Sequence, residues 1–205
     1  MAEGGGLLPG DYDDDPGRFA ANQEATRRFS RVGDVHPVVV RRFADETCGS
    51  VVDIGGGNGV LARALGDNGV RTVVVDRAEL LKEAPRPAVR ADATRLPFRD
   101  GCFDGAAALW MLYHLPDPLL VLREAQRVVR AGGVVAVCTS SRFNDPELAP
   151  VLPGWGTPLT FDAENAAGLL GAVFEDVDVQ RWDEPLVDIP DRAALKLFLR
   201  GRGLS

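Results

Sequence analysis

Cysteine, histidine and long apolar runs are all scarce in this 205-residue chain, and each scarcity closes off a class of protein. Cys48, Cys102 and Cys138 stand far apart with no metal-ligand spacing, so neither a disulfide framework nor a metal centre is expected. They read as small, buried residues of a reducing compartment, and the expected location is cytoplasmic. No apolar run approaches the roughly 18 residues of a membrane span. Residues 1–10 lack the basic start and apolar stretch of a secretory leader. Basic charge is also short. With 23 Lys and Arg against 30 Asp and Glu the net charge is −7, which argues against a broad nucleic-acid footprint. Arg27, Arg28, Arg31, Arg41 and Arg42 do gather early and keep a small basic patch in view.

What is present is an ordinary globular composition, 45% hydrophobic and 26% charged, with length for one domain. Residues 1–15, glycine-rich and then acidic, hold too few apolar side chains to fold alone and are expected to be disordered. Residues 16–205 are read as a single domain. Within it, helices cover 16–47, a ligand-binding core spans 48–139, a substrate loop 140–160, and a helix, a strand and a helix fill 161–205.

The core is organised around VVDIGGGNG, Val51 to Gly59. Val51, Val52 and Ile54 are the β-branched run of a strand covered on both faces. Gly55, Gly57 and Gly59 form a turn without side chains, against which a ligand can lie, and a helix then presents unpaired N–H groups. The spacing is G-x-G-x-G, and Val60 replaces the third glycine of the dinucleotide fingerprint, which favours a ligand with no pyrophosphate. A second strand, Val70 to Val75, ends in Asp76, from where an acid reaches ribose hydroxyls. A third run ends in Ala91-Asp92-Ala93. Then come CFDGAAALWMLYHLPDP, LLVLREAQRVVRAGG and the apolar strand VVAVCTS. Asp117-Pro118 reads as an N-cap with proline in the first turn, and Gly132-Gly133 as that helix's stop. Strand and helix alternate, which implies α/β architecture: a three-layer sandwich around a mostly parallel, doubly wound sheet.

From Val51 to Thr139 this series resembles the class I S-adenosylmethionine-dependent methyltransferases, with departures at Gly56, Asn58 and Ala131. The resemblance implies a Rossmann-like fold, S-adenosylmethionine as cofactor and S-adenosylhomocysteine as product. Asp76, with Arg77 beside it, would face the ribose, where a carboxylate can accept both hydroxyls. Asp92 would accept the adenine amino N–H, with the backbone of Ala93 near a ring nitrogen. Asp53 would steady the loop and attract the cationic amino-acid end, while Gly55, Gly56 and Gly57 let backbone approach it. Leu109 and Trp110 would lie where the methyl emerges. Transfer from a sulfonium draws its rate from alignment, and a base is needed only if the acceptor loses a proton. His114, in the YHL of the fourth motif, is the candidate base, and His36 reads as a helix-entry residue.

The family's N-terminal helices lie over the cofactor pocket, which would place Phe19, Phe29 and Val32 there. Trp155, in a loop with four prolines from Ser140 to Pro158, would form the facing wall. A strand is expected over Phe174 to Trp182. A closing antiparallel strand over Leu186 to Ile189 is expected to be short or absent, because Pro185 and Pro190 bracket it. The expected acceptor is a small molecule, and a homodimer is compatible with this reading. RNA or protein methylation, and a non-catalytic cofactor-binding subunit, are the rival readings.

Overall fold

The computed structural model describes residues 15–31, 34–152 and 154–204. The expectation for residues 1–15 lies outside them except at its last residue, and so does that for Val32. Asp15 is ordered as the N-cap of α1 (Pro16–Phe29), its carboxylate accepting from the Arg18 N–H. α2 (His36–Asp45) follows, also with proline in its first turn.

Five strands then form one sheet: β1 (Ser50–Ile54), β2 (Arg71–Asp76), β3 (Ala88–Arg90), β4 (Phe103–Leu109) and β5 (Val129–Cys138). Their order is β3-β2-β1-β4-β5, and every pairing is parallel. α3 (Val60–Asp67) links β1 to β2, and α4 (Pro118–Val128) precedes β5. Alternate strand residues divide between two layers, as the pleat requires. Val51, Ala107 and Leu109 pack with Val39, Val40 and Phe43 of α2 and with Leu61 and Leu65 of α3. Val52, Ile54, Ala106 and Ala108 pack with Val121, Leu122, Ala125 and Val128 of α4. The three-layer sandwich of the sequence reading is present.

Two differences concern the C-terminal half. β5 starts at Val129, directly at the end of α4, and Gly132-Gly133 lies within it. Phe103 pairs with Val129 and Gly105 with Val134, so the residues between bulge from the ladder, with Gly132 at φ 70°. The expected strand over Phe174 to Trp182 is absent, and the segment runs irregularly past α5 (Ala166–Gly171). Its alternating Val177 and Val179 are exposed, as is Trp182. Leu186 to Ile189 joins no sheet. Val187 instead makes an antiparallel bridge with Ser30, the Arg31 N–H donating to the Leu186 carbonyl and the Asp188 N–H to that of Phe29. α6 (Arg192–Gly201), capped by Asp191, lies along α1. Ala25 and Phe29 of α1 bury against Ala194 and Phe198 of α6. At Gly201 the two helices approach closely: a Cβ there would stand 2.8 Å from the Asn22 Cα.

Candidate active site at the strand ends

The carboxyl ends of β1, β2 and β3 lie side by side, and each delivers an acid at or just past its last residues: Asp53, Asp76 and Asp92. In open α/β sheets this edge, where the strand order reverses, is where ligands bind. Here the reversal falls between β1 and β4, directly beside the glycine turn.

The turn has three glycines in the left-handed region: Gly55 at φ 67°, Gly57 at 53° and Gly59 at 78°. Asp76 ties it to β2, one carboxylate oxygen accepting from the Gly57 N–H at 2.8 Å and the other from the Ala78 N–H at 2.8 Å. Asp53 lies beneath the turn, 2% exposed, with Oδ2 lacking a hydrogen-bond partner. Gly56 makes that placement feasible, since a Cβ there would meet Asp53 Oδ2 at 2.4 Å and Val74 at 2.9 Å. Burial raises the Asp53 carboxyl to about 7, with His36 opposing this and Asp76 adding to it. A buried carboxylate with an unused oxygen, next to a turn of open glycines, fits a cationic group carried on a flexible chain.

Asp92 is exposed, and its carboxylate accepts from the Thr94 N–H and hydroxyl, which hold it below its ordinary range. Arg77 and Arg95 lie close enough to add to that effect. Ala93, next to Asp92, packs against the α4-side core. The Leu109 side chain is buried in the α2-side core, so its backbone is what it offers at the edge. Trp110 follows with φ 58°, a conformation that costs a non-glycine residue on the order of 1–3 kcal/mol. It is 40% exposed, and its N–H donates to the Cys138 carbonyl. Met111 then folds against Gly55, where a Cβ would lie 2.8 Å from its Cγ. His114 ends the short helical turn Leu112–His114, half-buried, with its ring tilted on Tyr113 at 4.6 Å.

The covering elements come from both ends of the described chain. Phe19 of α1 reaches over the glycine turn, its ring tip 3.9 Å from where a Gly57 Cβ would be, and Gln23 Oε1 accepts from Asn58 at 3.5 Å. Phe29 does not face the turn and is buried between α1 and α6. The loop after β5 joins this roof through Leu148, which packs on the α1–α6 cluster, and through an Asp145–Arg202 ion pair at 2.6 Å. Trp155 is held within that loop, its indole N–H donating to the Asn144 carbonyl and its ring meeting Phe143 edge-on. A hollow of about 430 Å³ bounded by Arg28, Phe29, Arg31, Asp188 and Pro190 opens at the C-terminal end of α1, and none of the strand-end acids lines it.

Two features escaped the sequence reading. One is Met111 under the turn. The other is the Asp34–His36 pair before and at the start of α2, whose D-x-H spacing at a helix entrance was its only signal.

Residues 52–137 match the family model described as a methyltransferase domain. The demethylmenaquinone methyltransferase of Clavibacter sepedonicus is 27% identical over 169 residues, 76% of this chain and 65% of that protein. The ubiquinone biosynthesis O-methyltransferase of Pseudomonas aeruginosa is 30% identical over 129 residues, 56% of this chain and 55% of that protein. The chain thus spans between about half and two thirds of the length of these relatives. A Thermotoga maritima structure described as a SAM-dependent methyltransferase superposes with a TM-score of 0.63 at 22% identity, covering 79% of this chain and 78% of that one, a likeness of fold.

Proposed function

We propose, for a chain whose 52–137 core is a class I methyltransferase domain, that it transfers the methyl group of S-adenosylmethionine to a small ring-type acceptor of the quinone class. The observation that carries this reading is the row of three strand-end acids around a glycine turn, one of them buried with an unsatisfied oxygen. The donor set suits the cofactor's chemistry. Asp53 faces its cationic amino-acid end, Asp76 the ribose and Asp92 the adenine, while Gly55 and Gly57 give backbone access. When bound, the cofactor supplies a methyl group already activated by the sulfonium. This chain's own contribution is alignment of the acceptor beneath the roof and exclusion of water.

The acceptor class rests on the relatives' names, which are quinone-pathway methyltransferases. Methylation of RNA finds less support in the charge distribution. Arg27 and Arg28 pair with Glu24, Arg31 with Asp188, and Arg42 with Glu46 and Asp178, so most of the early arginine cluster is engaged within the protein. The three cysteines are free, which suits a reducing, cytoplasmic setting.

Calorimetry with S-adenosylhomocysteine and NAD, together with transfer of labelled methyl to a panel of phenols and hydroquinones, tests the proposal. Binding of the former and not the latter is expected, and Asp76→Ala should weaken it at least tenfold. A charge-assisted hydrogen bond is worth about 1.5–3 kcal/mol, and Asp76 also holds the turn. Unchanged affinity in Asp76→Ala would remove it from the site.

A further inference from the structure

The Asp34–His36 pair stands at the same edge and has no part in the cofactor set. His36 is the first residue of α2, and its side chain is mostly buried, with 18% exposed. Its Nδ1 is buried and lies 2.5 Å from Asp34 Oδ2, a charge contact outside hydrogen-bond angles, while its own backbone N–H donates to Asp34 Oδ1 at 3.3 Å. Burial would raise the Asp34 carboxyl, but the His36 imidazole and the backbone N–H groups of residues 35 and 36 outweigh it and bring it below its ordinary range. Asp34 is therefore an anion, and it turns Nδ1 toward itself. With Nδ1 turned to that carboxylate, Nε2 is the ring nitrogen left to face an acceptor.

The position of the pair is fixed by α2. Val35, between the two residues, packs on the cluster that holds Leu109 at the end of β4 and Cys138 at the end of β5. His36 lies near enough to Asp53 at the end of β1, and Asp34 to Cys138, to bear on them electrostatically. The pair thus sits among the ends of β1, β4 and β5, across the glycine turn from Asp76 and Asp92. In-line transfer requires the acceptor to meet the methyl carbon on the side opposite sulfur, and Trp110, where the methyl is expected to emerge, follows β4 at this same end.

We infer that His36 is the general base of methyl transfer and that Asp34 is its positioning residue; this rests on the function proposed above. In the step, the bond from the acceptor atom to the methyl carbon forms as the carbon–sulfur bond breaks. The electron pair of the broken bond stays on sulfur, which becomes neutral. The acceptor's proton passes to His36 Nε2, and the partly exposed ring returns it to solvent.

The chain has two histidines, so its imidazole spectrum can be read directly, and H114Q leaves His36 as the remaining signal. The test records side-chain ¹H–¹⁵N spectra of the ¹⁵N-labelled full chain, free and saturated with S-adenosylmethionine or S-adenosylhomocysteine, with saturation set by calorimetry. The expected result is that His36 shifts on binding and differs between the two complexes, because only one carries the sulfonium charge. D34N should move its ¹⁵N shifts toward a mixture of tautomers. With an acceptor that turns over, H36Q should lower kcat about 100-fold or more and D34N about tenfold, with the KM for S-adenosylmethionine unchanged. Heats of binding with no change at His36 would overturn the inference and leave the proposed function standing. No heat with either compound would overturn the proposed function itself.

Discussion

Asp53 and Asp104 lie on neighbouring strands of one sheet, and their surroundings push them in opposite directions. At the N-terminal end Asp104 accepts from the Arg130 guanidinium, the Ser50 hydroxyl and the N–H groups of Gly49 and Ser50, and it is held down at about 2. At the other end Asp53 has burial without compensation, and its carboxyl is pushed up to about 7. Its folded pKa is raised above the unfolded one, so between about pH 4 and 7 the native state holds the extra proton. Folding stability should therefore fall as pH rises through that window, by on the order of a few kcal/mol, and Asp53→Asn should flatten the decline in denaturant titrations. A cationic ligand reverses the preference. Binding S-adenosylmethionine at pH 6 should release close to one proton, measured by calorimetry in two buffers of different ionisation heat, and Asp53→Asn should abolish the release. In VVDIGGGNG the acid and the turn could be read directly, because strand and glycine patterns are local. That Gly56 leaves room for the carboxylate beneath it was not legible, nor was the meeting of Asp34 with His36. Both depend on contacts that no spacing encodes.

At the scale of elements, the roof is a helix pair with a small core of its own. Ala25, Phe29, Ala194 and Phe198 are its buried residues, and Leu148, Val187 and Leu197 pack around them. Its link to the rest at the glycine turn runs through Phe19 and Gln23. Truncating Phe198 removes one of the two buried aromatic rings of this cluster at a cost of about 3–5 kcal/mol, more than so small a cluster can absorb. Phe198→Ala should accelerate protease cleavage within α1 and weaken S-adenosylhomocysteine binding, while the sheet's hydrogen-exchange protection stays in place. Both helices could be read from the sequence, α1 within the helices of 16–47 and α6 as the closing helix of 161–205. Their partnership could not. An apolar stripe states that a face is covered and leaves open what covers it.

For the whole molecule, the division lies at Cys138. From α2 up to that point each strand meets a parallel neighbour and each α-helix a sheet face, so local pattern and global fold agree. Beyond it, Val177 and Val179 alternate as a strand would but pair with no strand, and β5 pairs with β4 alone among the described residues. Hydrogen exchange followed by mass spectrometry should show residues 175–185 exchanging within seconds and the centres of β1, β2 and β4 protected to the global limit. Strong protection across 175–185 would mean that the segment joins the open edge of β5 in solution. The α1–α6 contact also has a consequence in time. The ribosome makes α1 before any strand and α6 after every strand, so Phe19 cannot be fixed over the glycine turn until translation has passed Gly201. A nascent chain released from the tunnel as far as Cys138 would present its strand-end acids uncovered, and the roof would close only after α6 had emerged.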